Sequence, residues 1–440
     1  MNKKHYLLSL LLLGAIVISA CATATPEVVE EVAVVDPTAC NVDPPDAPVE
    51  INVIGWSFEI MNFYAEEMEK CSEVENLEVN VQLQDFVATR EAFNLAMTGG
   101  DESPFDIMHV SNPELNEFGN NGWLLPLNDL IDKYRDEYDL DDIADVSWDG
   151  ATIDGVIYGI PATANTLHLA YRSDLLEEYG LEVPTTYDEI IEMCGVLADA
   201  PGIDLPFTMD VSAGWAWEIE FLAFIRSFGS DYLNADSTVA FNGPEGVAAA
   251  TKMKEVVDAC MPPAGLQSYY EETEVNINTG TQAMVHIWAS NTVSMFDPEQ
   301  SDFADVIKFA PAAAPKPGGL LGGSAWHDFY TIPATTPTDT DLIFRILMES
   351  LDRTSMLGAA DLGIVTRSSI DKGLPNLAAA SETIANGVGI YDPNPATSLA
   401  QAALWNWLPF IGTGEMTPQE ALDAAAEEYT AEAIAQGYLP

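Results

Sequence analysis

The chain has 440 residues, with 70 acidic side chains against 16 lysines and arginines and a formal charge of −54 at neutral pH. Nucleic acid and anionic membrane surfaces repel such a body, and an anionic ligand would need a local basic patch that few bases are present to build, so a neutral ligand fits better. The acidity fits a saline habitat and also serves solubility; 48% hydrophobic residues are enough for real cores.

Lys3 and Lys4 precede an almost unbroken apolar run from Tyr6 to Ile18, and Ile18-Ser19-Ala20-Cys21 follows. This is the pattern of a secretory signal peptide, with Cys21 where a bacterial lipobox places its lipid-modified cysteine. The run is shorter than the roughly 20 residues of a membrane span. The expectation is removal of residues 1–20 by the Sec route and a lipid anchor on Cys21, since no twin-arginine pair is present. An ordinary signal peptide with a chance cysteine, or an uncleaved anchor, is the plainer alternative. Residues 21–49 are rich in Pro, Ala, Thr, Val and acids without a consistent period and read as a disordered tether.

With Cys21 lipidated, Cys40, Cys71, Cys194 and Cys260 remain, an even set in an exported chain, which implies disulfides. Cys40 sits just before the first predicted strand and Cys71 just after the first helix. Cys194 and Cys260 each lie near the C-terminal end of a helix. Cys40–Cys71 and Cys194–Cys260 are therefore the expected pairs among the three possible sets. The spacings do not suit zinc; no metal and no cofactor is expected.

An alternating strand over residues 50–56 enters a glycine turn. A helix at 62–71, a strand at 78–83, a helix at 89–97 stopped by Gly99-Gly100, and a buried strand at 105–110 come next. Short helices follow at 115–121 and 127–134. The alternation predicts an α/β chain with a largely parallel sheet. Further strands are expected at 156–161, 167–171, 283–288 and 329–333. Further helices are expected at 174–179, 186–197, 217–228, 243–259, 340–352, 396–408 and 418–435. There is no repeat of solenoid period.

Four segments carry a family resemblance, and it runs from about residue 50 to the end. Asp106-Ile107-Met108 through Gly122-Trp123-Leu124-Leu125-Pro126-Leu127 is the first. Asp154-Gly155-Val156-Ile157-Tyr158-Gly159-Ile160-Pro161, with Leu169-Ala170-Tyr171-Arg172-Ser173-Asp174-Leu175 and Val183-Pro184-Thr185-Thr186-Tyr187-Asp188-Glu189, is the second. Gly322-Gly323 to Ile332-Pro333 is the third, and Gly414-Glu415-Met416-Thr417-Pro418-Gln419-Glu420-Ala421-Leu422 the fourth. In their order and spacing they resemble the extracellular solute-binding proteins of carbohydrate ABC importers, the maltodextrin-binding-protein-like branch.

The resemblance implies a two-lobe periplasmic-binding-protein fold in the α/β class, with hinge strands and a ligand cleft between the lobes. One lobe would comprise 50–162 and 310–370, the other 163–309 and 371–440. Both expected disulfides would then leave the hinge free. The implied function is a monomeric, lipid-anchored substrate-binding protein outside the bacterial cytoplasmic membrane. It would capture a neutral sugar or polyol, close by hinge motion, and deliver it to ABC permease subunits, with no nucleic acid and no catalysis involved. A receptor for a compatible solute or an amine is the alternative within the same class. An extracellular glycan-active enzyme is the alternative outside it, although no P-loop, GxSxG or HExxH and no isolated carboxylate pair is present.

Sugar binding needs flat apolar faces for ring C–H surfaces and planar polar groups for hydroxyls. Trp56 follows the first strand, and Ser111 and Asn112 follow the third, at the strand ends where α/β clefts collect ligand contacts. Asn165 stands where the resemblance places a sugar-contacting carboxylate beside the hinge. Trp215 and Trp217 match an aromatic segment that stacks on sugar in the family. Trp288 lies in Met284-Val285-His286-Ile287-Trp288, where many relatives have Gly or Pro before Trp. Trp326, His327 and Asp328 precede a strand, and Arg367 lies in a region near the cleft in relatives. Core packing, a surface histidine and a buried ion pair are the plain structural roles that compete for these aromatics, for His327 and for Arg367.

Overall fold

The structure, a computed structural model, describes residues 39–99, 102–212, 214–267, 269–388 and 394–440. The expected leader, Cys21 and most of the tether lie outside these residues.

Twelve strands are present among the described residues: β1 (Val49–Trp56), β2 (Leu77–Gln84), β3 (Ile107–Ser111), β4 (Thr152–Ile153), β5 (Val156–Ile157), β6 (Gly159–Asn165), β7 (Leu167–Arg172), β8 (Leu205–Thr208), β9 (Gln282–Trp288), β10 (Ile307–Ala310), β11 (Trp326–Thr331) and β12 (Ile364–Val365). One sheet has the order β12-β6-β11-β3-β1-β2 and a second has the order β10-β7-β9-β8. β4 and β5 form a hairpin through Asp154-Gly155, both at positive φ, as a two-residue Asp-Gly turn requires.

The sheets are mixed, which corrects the largely parallel sheet expected from the alternation. β1 pairs in parallel with β2 and β3, but β11 runs antiparallel to both β3 and β6. The reason is the route of the chain. β6 leaves the first sheet at Asn165, and after the single residue Thr166 the next strand, β7, belongs to the second sheet. β11 re-enters the first sheet between β6 and β3, starting beside the end of β6, with Trp326 opposite Asn165, and so must run the other way. β8 and β10 escape the periodicity argument because each is four residues long, too short to show a period.

Each sheet is covered on both faces. Val53, Ile107, Ile160 and Tyr330 pack under the helices Glu59–Glu69 and Thr340–Ser350. Ile54, Met108, Val110 and Phe329 face Phe93 and Phe118 on the opposite side. In the second sheet Leu167, Leu169 and Met284 join a core with the helices Tyr187–Leu197, Gly214–Phe228 and Pro244–Cys260. Ala170, Val285 and Ile287 form a smaller core behind it. Two-sided burial is why these strands read as continuous apolar runs.

Sheet membership changes again between Ala310 and Trp326, and after Val365 the chain passes to the helix Pro375–Ala385, which packs on β10 and β7. The first two crossings touch: Ser324 N donates to Thr166 Oγ1 at 3.1 Å. Gly323 is required beside them, because a Cβ there would lie 2.6 Å from Thr166 Oγ1.

Cys40 is bonded to Cys71 and Cys194 to Cys260. The first bond ties the segment ahead of β1 to the turn Lys70–Glu73; the second ties two helices of the second sheet's core. Among the described residues no helix is long and apolar enough to cross a membrane.

Candidate functional site

A cavity of about 400 Å³ opens where the carboxyl ends of β1 and β2 face the second sheet. Its lining from the first sheet is Trp56, Ser57, Phe58, Gln84, Asp85, Phe86, Trp326 and Asp328; Asn165 lines it at the crossing. Across the gap stand Trp215, Ile219, Tyr269, Tyr270, Trp288, Ser290 and Asn291. Carboxyl ends of neighbouring parallel strands deliver their loops to one edge, where α/β proteins hold ligands.

Trp56 ends β1 and packs on His109, with ring centroids 3.7 Å apart, while Phe86 meets it edge-on at 5.1 Å. Gly55 permits this approach, since a Cβ there would lie 2.8 Å from His109 Cβ. Phe86 opens the helix Phe86–Thr98, whose cap is Asp85, accepting from Ala88 N at 2.9 Å. Phe86 also reaches Trp215 on the far side at 5.9 Å, and Trp288 meets Trp326 at 5.8 Å. Among the described residues, eight aromatic rings thus wall the cavity.

Polar groups stand between these rings: Ser57, Gln84, Asp85, Asn165, Ser290, Asn291 and Asp328. Asp328 is 1% exposed. Its Oδ1 accepts from His109 Nε2 at 3.0 Å and from Trp326 Nε1 at 3.2 Å. Its Oδ2 has no partner among the described residues. Asn165 Nδ2 donates to Ser290 Oγ at 3.0 Å and its Oδ1 accepts from Thr166 N at 3.1 Å, so this amide links both sheets. Flat apolar faces with a few oriented polar groups suit a carbohydrate-sized ligand.

The structure brings six of the expected residues to the cavity: Trp56, Asn165, Trp215, Trp288, Trp326 and Asp328. It takes five elsewhere. Ser111 is fully buried and its hydroxyl donates to Glu114 in a capping box. Asn112 Oδ1 accepts from His327 N at 2.7 Å, pinning β3 to β11. Trp217 is 2% exposed and packs against Gly412; two residues along a helix turn a side chain about 200° away from Trp215. His327 lies between Trp326 and Asp328 on the opposite strand face, and burial pulls its imidazole below the usual histidine range. Arg367 is carried away from the cavity by the register of β12. β12 runs antiparallel to β6, pairing Ile364 with Ala164 and Val365 with Thr163, so the chain beyond it travels away from Asn165. The Arg367 guanidinium instead donates to the carbonyls of Asp139, Tyr138 and Leu351 at 2.9, 2.8 and 3.1 Å.

Sequence reasoning missed Phe58, Phe86, Tyr269, Tyr270, Ser290 and Asn291 among others. Phe86 was accessible to the rule that found Trp56, because it follows β2 as Trp56 ends β1. The tyrosines carry no local signal, since a helix start in the second sheet's half reaches the cavity only through packing.

Behind the cavity a smaller gap separates Arg90, Pro113 and Glu114 from Glu218, Gln401 and Trp405. Arg90 pairs with Glu114 at 3.1 Å. Glu218 is buried and accepts from Tyr232 Oη, from Gln401 Nε2 at 3.3 Å and from Trp405 Nε1 at 3.4 Å. Burial pushes its carboxyl up to about 7 despite these donors. Among the described residues no cluster of three or more His, Cys, Asp or Glu side chains is placed to hold a metal ion.

Comparison with known proteins agrees with this architecture. The sequence profile described as bacterial extracellular solute-binding protein matches residues 59–340. A mannitol-binding protein of Pseudomonas aeruginosa is 26% identical over 240 residues, covering 53% of this chain and 52% of that protein. The chain spans about half the length of the curated relatives it matches. An ABC transporter solute-binding protein of Agrobacterium radiobacter K84, in complex with ribitol, superposes with a TM-score of 0.77 at 22% identity, over 88% of this chain and 99% of that one. Maltose-bound MalE3 of T. maritima superposes with a TM-score of 0.74 at 20% identity, over 87% and 99%. The fold is therefore the two-lobe fold of periplasmic binding proteins, and the chain belongs to the bacterial extracellular solute-binding protein family.

Proposed function

We propose that this protein is the substrate-binding component of an ABC importer and that it captures a sugar or polyol in the cavity between its sheets. The observation that carries the reading is the cavity itself: aromatic faces from both sheets surround the Asp328 carboxylate and the Asn165 amide beside the chain crossings. The mannitol-, ribitol- and maltose-binding relatives support the ligand class.

The two sheets form the cores of two lobes, 50–162 with 310–370 and 163–309 with 371–440. The boundaries at 162/163 and 309/310 lie beside a change of sheet, and the one at 370/371 lies where the chain leaves β12 for the helix Pro375–Ala385 on β10 and β7. Ligand draws the lobes together about Thr166 and Ser324. The protein works as a monomer outside the cytoplasmic membrane, held by lipid on Cys21, and hands its ligand to permease subunits.

A thermal-shift screen over sugars and polyols tests capture. A ligand at 100 times its Kd should add about 2.7 kcal/mol of stability. X-ray scattering should then show the radius of gyration shrinking by on the order of 1 Å as the lobes close. No stabilisation by any sugar or polyol would sink the ligand class. Detergent partitioning with mass spectrometry of the N-terminal peptide tests the anchor, and a mature chain without lipid on Cys21 would refute it.

A further inference from the structure

We propose that the ligand is cationic: an amino sugar or amino polyol whose ammonium group pairs with Asp328. This rests on the capture reading above and departs from the neutral ligand that composition favours.

Asp328 keeps one carboxylate oxygen without a hydrogen-bond partner among the described residues. A buried carboxylate is costly unless it is paired with a cation or fully hydrogen-bonded. Asp328 is 1% exposed. His109 Nε2, at 3.0 Å and an ion-pair partner when the imidazole is protonated, and Trp326 Nε1, at 3.2 Å, both reach Oδ1. Oδ2 is left without a partner among the described residues, on a side chain that lines the cavity. A ligand hydroxyl would supply one hydrogen bond to Oδ2 and leave the charge in place. An ammonium supplies the hydrogen bond and the charge together, and charge-assisted bonds of this kind are roughly twice as strong as neutral ones.

The rest of the lining points the same way. Among the described residues it holds a second carboxylate, Asp85, and no lysine, arginine or histidine. Arg90, the base beside the neighbouring gap, already pairs with Glu114. His109 stands behind Trp56, with its Nε2 turned to Asp328 and away from the cavity's other groups. Trp56, Trp288 and Trp326 offer aromatic faces, and such faces attract a desolvated cation. The chain's net charge of −54 steers cations toward it. A site with this lining repels uronic acids and sugar phosphates and has nothing to neutralise them.

Calorimetry at pH 7 with matched probes tests the proposal: glucosamine against glucose and N-acetylglucosamine, and 1-amino-1-deoxymannitol against mannitol. In at least one set the amine should bind tenfold or more tighter than its hydroxyl parent and its acetylated form. Asp328→Asn should erase that gap. The wild-type comparison decides the matter even where the variant does not fold. Hydroxyl or acetyl forms that bind as tightly as the amines would overturn the cationic ligand and leave sugar capture standing. Failure of all these probes, with no carbohydrate found by the wider screen, would overturn both.

Discussion

The Arg90 guanidinium lies 4.8 Å from the centroid of the Trp405 ring, joining a helix on the first sheet to one packed with the second sheet's helices. The same arginine is held by Glu114 and flanked by Phe86 at 5.8 Å. Neither residue lines the main cavity, so in the proposed closure of the lobes this contact would favour the closed state without touching ligand. Closure that is already favoured strengthens apparent affinity, because less binding energy goes into populating the competent state.

Arg90→Met should therefore weaken ligand binding by about 1 kcal/mol, roughly fivefold, through the lost cation–π contact. The loss should appear in the dissociation rate, with a larger radius of gyration for the free protein. Unchanged affinity and unchanged scattering would show that the contact does not bias closure.

Glu218 makes stability depend on pH in a defined direction. Burial raises its carboxyl from 4.5 to about 7, so the folded protein binds more protons than the unfolded chain between those values. Stability from this group is fully present below about pH 4.5 and is lost as pH rises through 7. The size is on the order of 3 kcal/mol. Unfolding midpoints measured from pH 5 to 8 should therefore diverge between the parent and Glu218→Gln, the variant having the flatter decline above pH 5. Parallel curves would refute the assignment.

The tryptophans separate binding from packing. Trp56→Ala, Trp215→Ala and Trp326→Ala should each cost roughly 1–3 kcal/mol of affinity through lost apolar contact. Trp217→Ala, two residues from Trp215 and turned into the core, should instead lower the unfolding midpoint, with near-parental affinity in the folded fraction. A loss of affinity at Trp217 equal to that at Trp215 would place both on the cleft.

Arg367 should behave as a structural residue. Arg367→Met leaves three buried or part-buried carbonyls without this donor and should destabilise by about 3 kcal/mol, at roughly 1 kcal/mol or more for each group left unpaired. Ligand affinity of the surviving folded protein should not change. Denaturant titration beside calorimetry distinguishes this from a ligand contact.

The disulfides close separations of 31 and 66 residues. Chain entropy assigns each about 4 kcal/mol. Cys194→Ser with Cys260→Ser should lower the midpoint of unfolding and leave ligand affinity intact, since both helices lie in one core. Non-reducing peptide mapping checks the pairing, and a Cys40–Cys194 link would contradict it.

Much of this was legible in the residues alone. Capping boxes at Thr186 with Glu189 and at Thr417 with Glu420 start helices where the sequence places them, because capping is a short-range hydrogen-bond pattern. The Asp154-Gly155 hairpin is equally local in origin, but its two-residue strands are too short for the expected strand at 156–161 to reveal it. Trp56 and Trp326 were accessible because strand ends are visible as the end of an apolar run. What the sequence could not decide was direction and face. The direction of β11 and β12 depends on which side of the first sheet the chain returns to after visiting the second, a contact between residues far apart in the chain. That choice sent Arg367 away from the cavity and brought Asp328 into it. It also set His327 on the opposite side of β11, and helix rotation hid Trp217 while exposing Trp215. Local pattern encodes period and burial; the packing of one lobe against the other decides which buried side chains meet a ligand.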